Sequence, residues 1–181
     1  MNIWTPSAGA SQLRWEYPVG LAELLCTILT GEITPEQMAA DVEMHRVLHR
    51  LGGKHAIRLL DDPTGERLSH WPRVWAARTL ALVGDFRCAP ALEQATKDME
   101  WRVRMQAIRA ASLVCKPREL DKMGALLISD KSARVRSTLA LCLGRNGGSD
   151  SIMLLGTLLR DSDTSVRNHA DRALTRLQSR L

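Results

Sequence analysis

The sequence predicts an all-α fold: a right-handed α-α superhelix of four to five helical hairpins, each packed on the next. Three observations predict it. The chain of 181 residues holds five Trp but one Tyr and one Phe, and it leans on Leu, Ala and Arg. Those are helix formers, whereas β-sandwiches and barrels lean on aromatic and β-branched residues. One short segment recurs at nearly constant spacing along the second half of the chain. After each recurrence the apolar residues follow a helical period.

Taken in chain order, residues 1–17 give no periodic signal and read as irregular. Pro18–Thr30 reads as a helix, ended by Gly31 and rich in Leu21, Leu24, Leu25, Ile28 and Leu29. It would cap the N-terminal end of the stack. Thr34-Pro35-Glu36-Gln37 is a helix start with an N-cap, Pro at the first helical position and an acid in the first turn. One helix is expected from there to about Leu51, closed by Gly52-Gly53, and a second over Lys54–Leu60. Together residues 34–66 look like a degenerate hairpin.

Residues 67–181 carry the repeat. The segments Arg67-LSHWP-Arg73, Asp98-MEWRV-Arg104, Asp130-KSARV-Arg136 and Asp161-SDTSV-Arg167 align, their second arginines 31, 32 and 31 residues apart. The first copy departs from the others, with Arg67 in place of Asp and Pro72 in place of Val. Three residues after each second arginine stand Ala76, Ala107, Leu139 and Ala170. Six after it stand the small residues Thr79, Ala110, Cys142 and Ala173, then Leu80, Ala111, Leu143 and Leu174. These positions share one face of a helix, and small residues there let a neighbouring helix come close. A turn follows each first helix, then a second apolar helix near Ala89–Lys97, Arg118–Ser129 and Ser151–Arg160. The repeats run over 67–97, 98–129 and 130–160, with a half repeat over 161–181, all within one continuous domain. A single hairpin cannot cover its own apolar face, so neighbours must stack. The half repeat's last helix either caps the array or offers its flank to a partner.

This pattern resembles the HEAT-repeat superfamily, in particular the short bacterial type seen in phycobilisome lyase-like proteins. The residues that carry the resemblance are the Asp-to-Arg starts, Ala76-Ala77 with Leu80 and Gly84-Asp85, and Val166-Arg167 with Ala170 and Ala173-Leu174. The resemblance implies a HEAT-like solenoid. It also implies that Asp98, Asp130, Asp161, Arg104, Arg136 and Arg167 form a structural ladder between adjacent repeats. An Asp at these turns can in addition accept from free N–H groups of a helix start.

Catalytic motifs are missing from the sequence. It contains no GxxxxGK[ST], GxGxxG or GxSxG. Gly147-Gly148-Ser149-Asp150 is glycine-rich but falls at a turn within a repeat, where phosphate cradling is not expected. Asp61, Asp62 and Glu66, beside Pro63 and Gly65, read as a solvated loop. His45 and His49 stand four apart with Asp41 one turn earlier, a spacing that can present two metal ligands; two ligands do not make a site, and a polar helix face is the expected reading. Iron-binding deoxyhypusine hydroxylases with HEAT-like repeats use His-Glu pairs, and this chain has no His-Glu dipeptide. No enzyme, metal or cofactor is expected.

Charge is uneven. Residues 1–90 hold 9 basic and 10 acidic side chains, and residues 91–181 hold 16 and 10, a net +6. Arg172, Arg176 and Arg180 make a basic stripe on the last helix. Nucleic acid is therefore an alternative partner, although only Trp101 supplies an aromatic ring to that half. The related alkylpurine DNA glycosylases use aromatic residues on a basic concave face. Cys26, Cys88, Cys115 and Cys142 form no CxxC pair and read as reduced thiols filling small core positions. With no apolar run of about 18 residues, no membrane span is expected, and the expected location is cytoplasmic.

The expected function is a non-enzymatic protein-interaction module, an adaptor, scaffold or regulatory subunit. The partner would be another protein held on the concave face of the second helices. Glu93, Lys97, Lys122 and Ser151 are the candidate contacts there, with Trp75 exposed on the flank and Arg172, Arg176 and Arg180 on the last helix. Trp75 could instead pack under the segment containing Trp4 and Trp15. A bilin lyase or chaperone-like factor is a further alternative, suggested by repeat type alone.

Overall fold

The computed structural model describes residues 5–61 and 69–180. Trp4, Asp62, Pro63, Gly65, Glu66, Arg67 and Leu181 lie outside them, as do the side chains of residues 59–61. The described chain contains helices and no strand. It divides into two compact units, residues 1–91 and 92–181, so the boundary falls inside the stretch 67–97 that the sequence assigns to the first repeat.

The N-terminal unit holds α1 (Pro6–Glu16), α2 (Leu21–Thr30), α3 (Pro35–Ala40), α4 (Val42–Gly52), α5 (Lys54–Asp61) and α6 (Trp71–Val83), then a 3-10 turn over Phe86–Cys88. Helix α1 corrects the expectation of irregular structure over residues 1–17. Its start is the same signal read correctly at Thr34: Thr5 accepts from Ala8 N–H, and Pro6 is the first helical residue. Its apolar face is too small to register as a period, because Gly9 and Ala10 are buried beside Leu13. Packing on α4 and α6, more than propensity, holds it.

A second correction concerns the single helix expected from Thr34 to Leu51. It is two helices, α3 and α4, broken at Asp41. That residue is extended (φ −108°, ψ 121°) and its carboxylate accepts from Glu43 and Met44 N–H, starting α4 afresh. Helix α3 begins with a complete capping box, Thr34 accepting from Gln37 N–H and the Gln37 side chain accepting from Thr34 N–H. Leu13, Leu25, Ile28, Leu29, Met38, Leu48, Leu51 and Leu80 fill the unit's core.

Helix α7 (Ala89–Ala95) spans the boundary. The C-terminal unit continues with α8 (Trp101–Val114), α9 (Pro117–Leu127), α10 (Ala133–Asn146), α11 (Ser151–Leu158) and α12 (Thr164–Gln178). Helices α8, α10 and α12 are the first helices of successive hairpins; α9 and α11 are second helices. First helix packs on first helix, α8 on α10 and α10 on α12, while α9 packs on α11. Val103, Ala107, Ala110 and Ala111 are buried in one hairpin, Val135, Leu139, Cys142 and Leu143 in the next, Val166, Ala170, Ala173 and Leu177 in the last. The helices come so close at Gly144 that a Cβ there would stand 2.6 Å from the Ala173 Cα. Small residues on the stripe are what permit that distance.

Candidate protein-interaction surface

Two polar devices fix the hairpins of the C-terminal unit, and each determines which side chains stay free. At the repeat starts, Arg104 donates from Nε and Nη2 to the two Asp130 carboxylate oxygens at 2.6 and 2.8 Å. Arg136 does the same to Asp161, also at 2.6 and 2.8 Å. The remaining guanidinium nitrogen reaches back to its own repeat's turn: Arg104 Nη1 to Asp98 O and Met99 O, Arg136 Nη1 to Asp130 O. Each carboxylate also accepts an N–H of its own turn, from Ser132 for Asp130 and from Asp163 for Asp161. Arg167 keeps the backbone bonds, to Asp161 O and Ser162 O, and adds Thr164 Oγ1. Asp98 accepts from Glu100 N–H in the same way.

These contacts set the charge of the ladder. Burial works to raise the Asp130 carboxyl, but the Arg104 hydrogen bonds, the Ser132 N–H and the Arg104 charge outweigh it, and the group lies below its ordinary value. Asp161 lies low chiefly because Arg136 hydrogen-bonds it, against some desolvation. Arg104 and Arg136 are correspondingly raised by their carboxylates. Such guanidinium groups are already committed and poorly placed to bind a phosphate.

The second device is buried. Asp121 on α9 accepts from Gly148 N–H at 3.1 Å and from the Ser151 hydroxyl. The glycine-rich turn is thus closed around the protein's own carboxylate. A Cβ on Gly148 would meet Asp121 Oδ2 at 2.6 Å, which explains the glycine. No sequence motif announces this tie; the one available signal is an Asp on a helix face otherwise filled by Leu120, Met123, Gly124 and Leu127.

Several candidate contacts change as a result. Ser151 is fully buried in that tie and cannot touch a partner. Trp75 is 4% exposed, not a flank anchor, because its ring lies over Gly52, where a Cβ would come within 2.6 Å of it. Trp71 stacks beside it, ring centres 6.1 Å apart. Trp15, by contrast, is 84% exposed. Arg180 lies beyond the end of α12 and donates to Gly147 O at 2.7 Å, so the basic stripe reduces to the exposed Arg172 and Arg176. Glu93 and Lys122 pair with each other at 3.0 Å, with the lysine largely in water. Lys97 is exposed beyond the end of α7.

In the C-terminal unit an open surface lies along α9 and α11. Two adjoining depressions of about 550 and 400 Å³ share Met153 in their walls. Met153 is 72% exposed, with Ile152 at 40% on α11 and Leu126 at 46% on α9. Gly156 opens the floor, since nothing stands within 4 Å of a Cβ built on it. Arg118, Lys122 and Arg160 rim the depressions, with Glu119 and Asp150 as the countercharges. Sequence reasoning missed Met153. In a helix as apolar as Ser-Ile-Met-Leu-Leu-Gly-Thr-Leu, periodicity does not reveal which residues face out.

The family model described as HEAT repeats matches residues 66–137 and 120–180. The chain belongs to the HEAT-repeat family. One solved structure agrees on the fold. A crystal structure of an engineered protein from the Northeast Structural Genomics Consortium is similar at 22% identity and TM-score 0.50, covering 96% of this chain and 88% of its own. A second engineered protein from the same consortium has 22% identity and TM-score 0.48, with 96% and 86% covered. No curated protein matches the chain. The match is to HEAT repeats in general and does not reach the phycobilisome lyase-like type.

Within the HEAT-repeat frame the other candidate chemistry disperses. Asp41 caps α4, and His45 Nε2 lies 2.5 Å from Ala39 O, so neither faces His49 as a shared ligand set. Among the described residues no group of three His, Cys, Asp or Glu side chains could hold a metal ion. No helix among them is long and apolar enough to cross a membrane. The Trp101 ring stands at the start of α8 with the Arg102 and Arg134 guanidinium carbons 4.6 and 5.2 Å from its centre. HEAT repeats are generally scaffolds for protein interaction.

Proposed function

We propose that this HEAT-repeat protein is a non-enzymatic interaction module that holds an acidic, partly apolar segment of another protein along α9 and α11. The observation that carries the reading is the exposed Met153, which walls two adjoining depressions whose rim holds Arg118, Lys122 and Arg160 beside Glu119 and Asp150. Methionine adapts its shape to a partner and is favoured at binding surfaces. Exposed apolar side chains bordered by charged ones are where partner contacts concentrate. The cations there are Arg118, Arg160 and the Glu93-paired Lys122, in a unit whose net charge is +6. An acidic segment is the complement, and opposite charge raises its rate of encounter.

A defined probe tests the reading. A fluorescent amphipathic peptide of Glu and Leu is titrated into the full chain, alongside its Lys-and-Leu counterpart. The acidic peptide should bind, and the basic one should not. Met153→Asp should weaken binding by about tenfold or more, roughly 1.4 kcal/mol. Equal binding of both peptides, or unchanged binding by Met153→Asp, rejects this surface. A DNA duplex that binds with a steep salt dependence lost in Arg172→Glu/Arg176→Glu would transfer the assignment to nucleic acid.

A further inference from the structure

Two cysteines far apart in sequence meet in the N-terminal unit. Cys26 lies on α2, and Cys88 closes the 3-10 turn that packs against α2. The Cys88 sulfur stands 4.0 Å from Ala22 O. Ala22 is one helical turn before Cys26 on α2, and side chains lean toward the helix N-terminus, so the Cys88 sulfur stands beside the turn that carries Cys26.

Their surroundings differ. Cys88 is buried, whereas Cys26 on α2 is partly exposed. The neighbouring Cys88 thiol favours the Cys26 thiolate and holds that thiol below its ordinary range, against burial and the carboxylates of Asp85, Glu23 and Glu32. The same neighbourhood, with burial, pushes Cys88 up. The other two thiols lack this arrangement. Burial and Glu119 push Cys115 up to about 11, and burial raises Cys142.

We propose that Cys26 and Cys88 are a dithiol modification site that reacts with low-molecular-weight disulfides and closes an intramolecular disulfide between α2 and the turn before α7. The Cys26 thiolate attacks one sulfur of the small disulfide. A Cys26–S–S–R bond forms, the original S–S bond breaks, and one thiolate leaves. Cys88 then attacks the Cys26 sulfur, passing its proton to the departing thiolate, and expels the second small thiol. Both cysteines are oxidised, and one small disulfide is reduced to two thiols. The accessible partner with the greater thiolate fraction attacks first and the buried partner resolves, the division of labour that thiol exchange favours.

The full chain, fully reduced, is incubated with oxidised glutathione, alkylated and digested without reductant for mass spectrometry. The expected product is a Cys26–Cys88 cross-linked peptide, with Cys115 and Cys142 recovered alkylated. In Cys88→Ser the reaction should stop with glutathione on Cys26. Recovery of Cys26 and Cys88 as free thiols in the wild-type chain overturns the proposal. So does glutathione on Cys115 in yield equal to that on Cys26, with no cross-link. The wild-type cross-link decides the matter even where the variant folds poorly.

Discussion

In the C-terminal unit one bidentate joint is used twice, Arg104 to Asp130 and Arg136 to Asp161, with the same distances. In the N-terminal unit each joint is different. Arg50 pairs with Glu16 at 2.7 Å, Arg78 donates to Leu51 O at 2.6 Å, Arg14 donates to Leu82 O at 3.0 Å, and Trp75 covers Gly52. Both units are all-helical, and both bury aliphatic cores. A repeated joint lets one solution serve every interface, so hairpins can be added without new contacts. The N-terminal unit solves each interface separately, and there the large aromatic side chains find their use.

The comparison can be broken most strongly at Trp75. Trp75→Ala leaves a cavity against Gly52 and should cost about 3–5 kcal/mol, read by urea denaturation. Hydrogen exchange should show the loss within residues 5–61. A cost under about 1 kcal/mol would mean that the aromatic joint is incidental.

The ladder is tested next. Arg136→Ala leaves the buried Asp161 without its cation and should cost about 3 kcal/mol. Arg167→Ala removes hydrogen bonds to carbonyls and one hydroxyl, and should cost about 1 kcal/mol. Equal losses would show that the carboxylate pair adds nothing to the backbone bonds.

Acid tests the ladder in a graded way. Asp130 and Asp161 both titrate below the ordinary carboxylate value in the folded state. The unfolded chain then binds protons first as pH falls, so their contribution is fully present above about pH 4 and is lost below it. Denaturation midpoints of wild type and Asp130→Asn should therefore converge between about pH 4 and pH 2. A constant difference over that range would refute the linkage. An effect as small as that of Arg167→Ala is expected at the α3 cap, where Thr34→Ala should cost about 1 kcal/mol, measured by the same denaturation.

The same contrast governs how far each unit is legible in its sequence. The stripes of α8, α10 and α12 are read from spacing because Val, Ala and Leu recur in register around each Arg. The boundaries of α9 and α11 fall within two residues of expectation. Helix α1 was not legible, since a buried face of Gly9, Ala10 and Leu13 has almost no apolar contrast. The break at Asp41 was hidden because an Asp can continue a helix or cap a new one, and the choice depends on what α3 and α4 pack against. Trp75 and Ser151 read as surface residues for a related reason. An indole has no fixed place in the repeat, and a serine hydroxyl is buried only when an acceptor such as Asp121 waits for it.

The sequence by itself determined the helical class, the hairpin spacing and the identity of the HEAT repeats, because these follow from local periodicity. Tertiary structure alone decided which face of α11 is open, that Asp121 fills the glycine turn, that Gly52 makes room for an indole, and that Cys26 meets Cys88. Each of these depends on two segments distant in sequence approaching within a few ångströms, and no local pattern encodes such a distance.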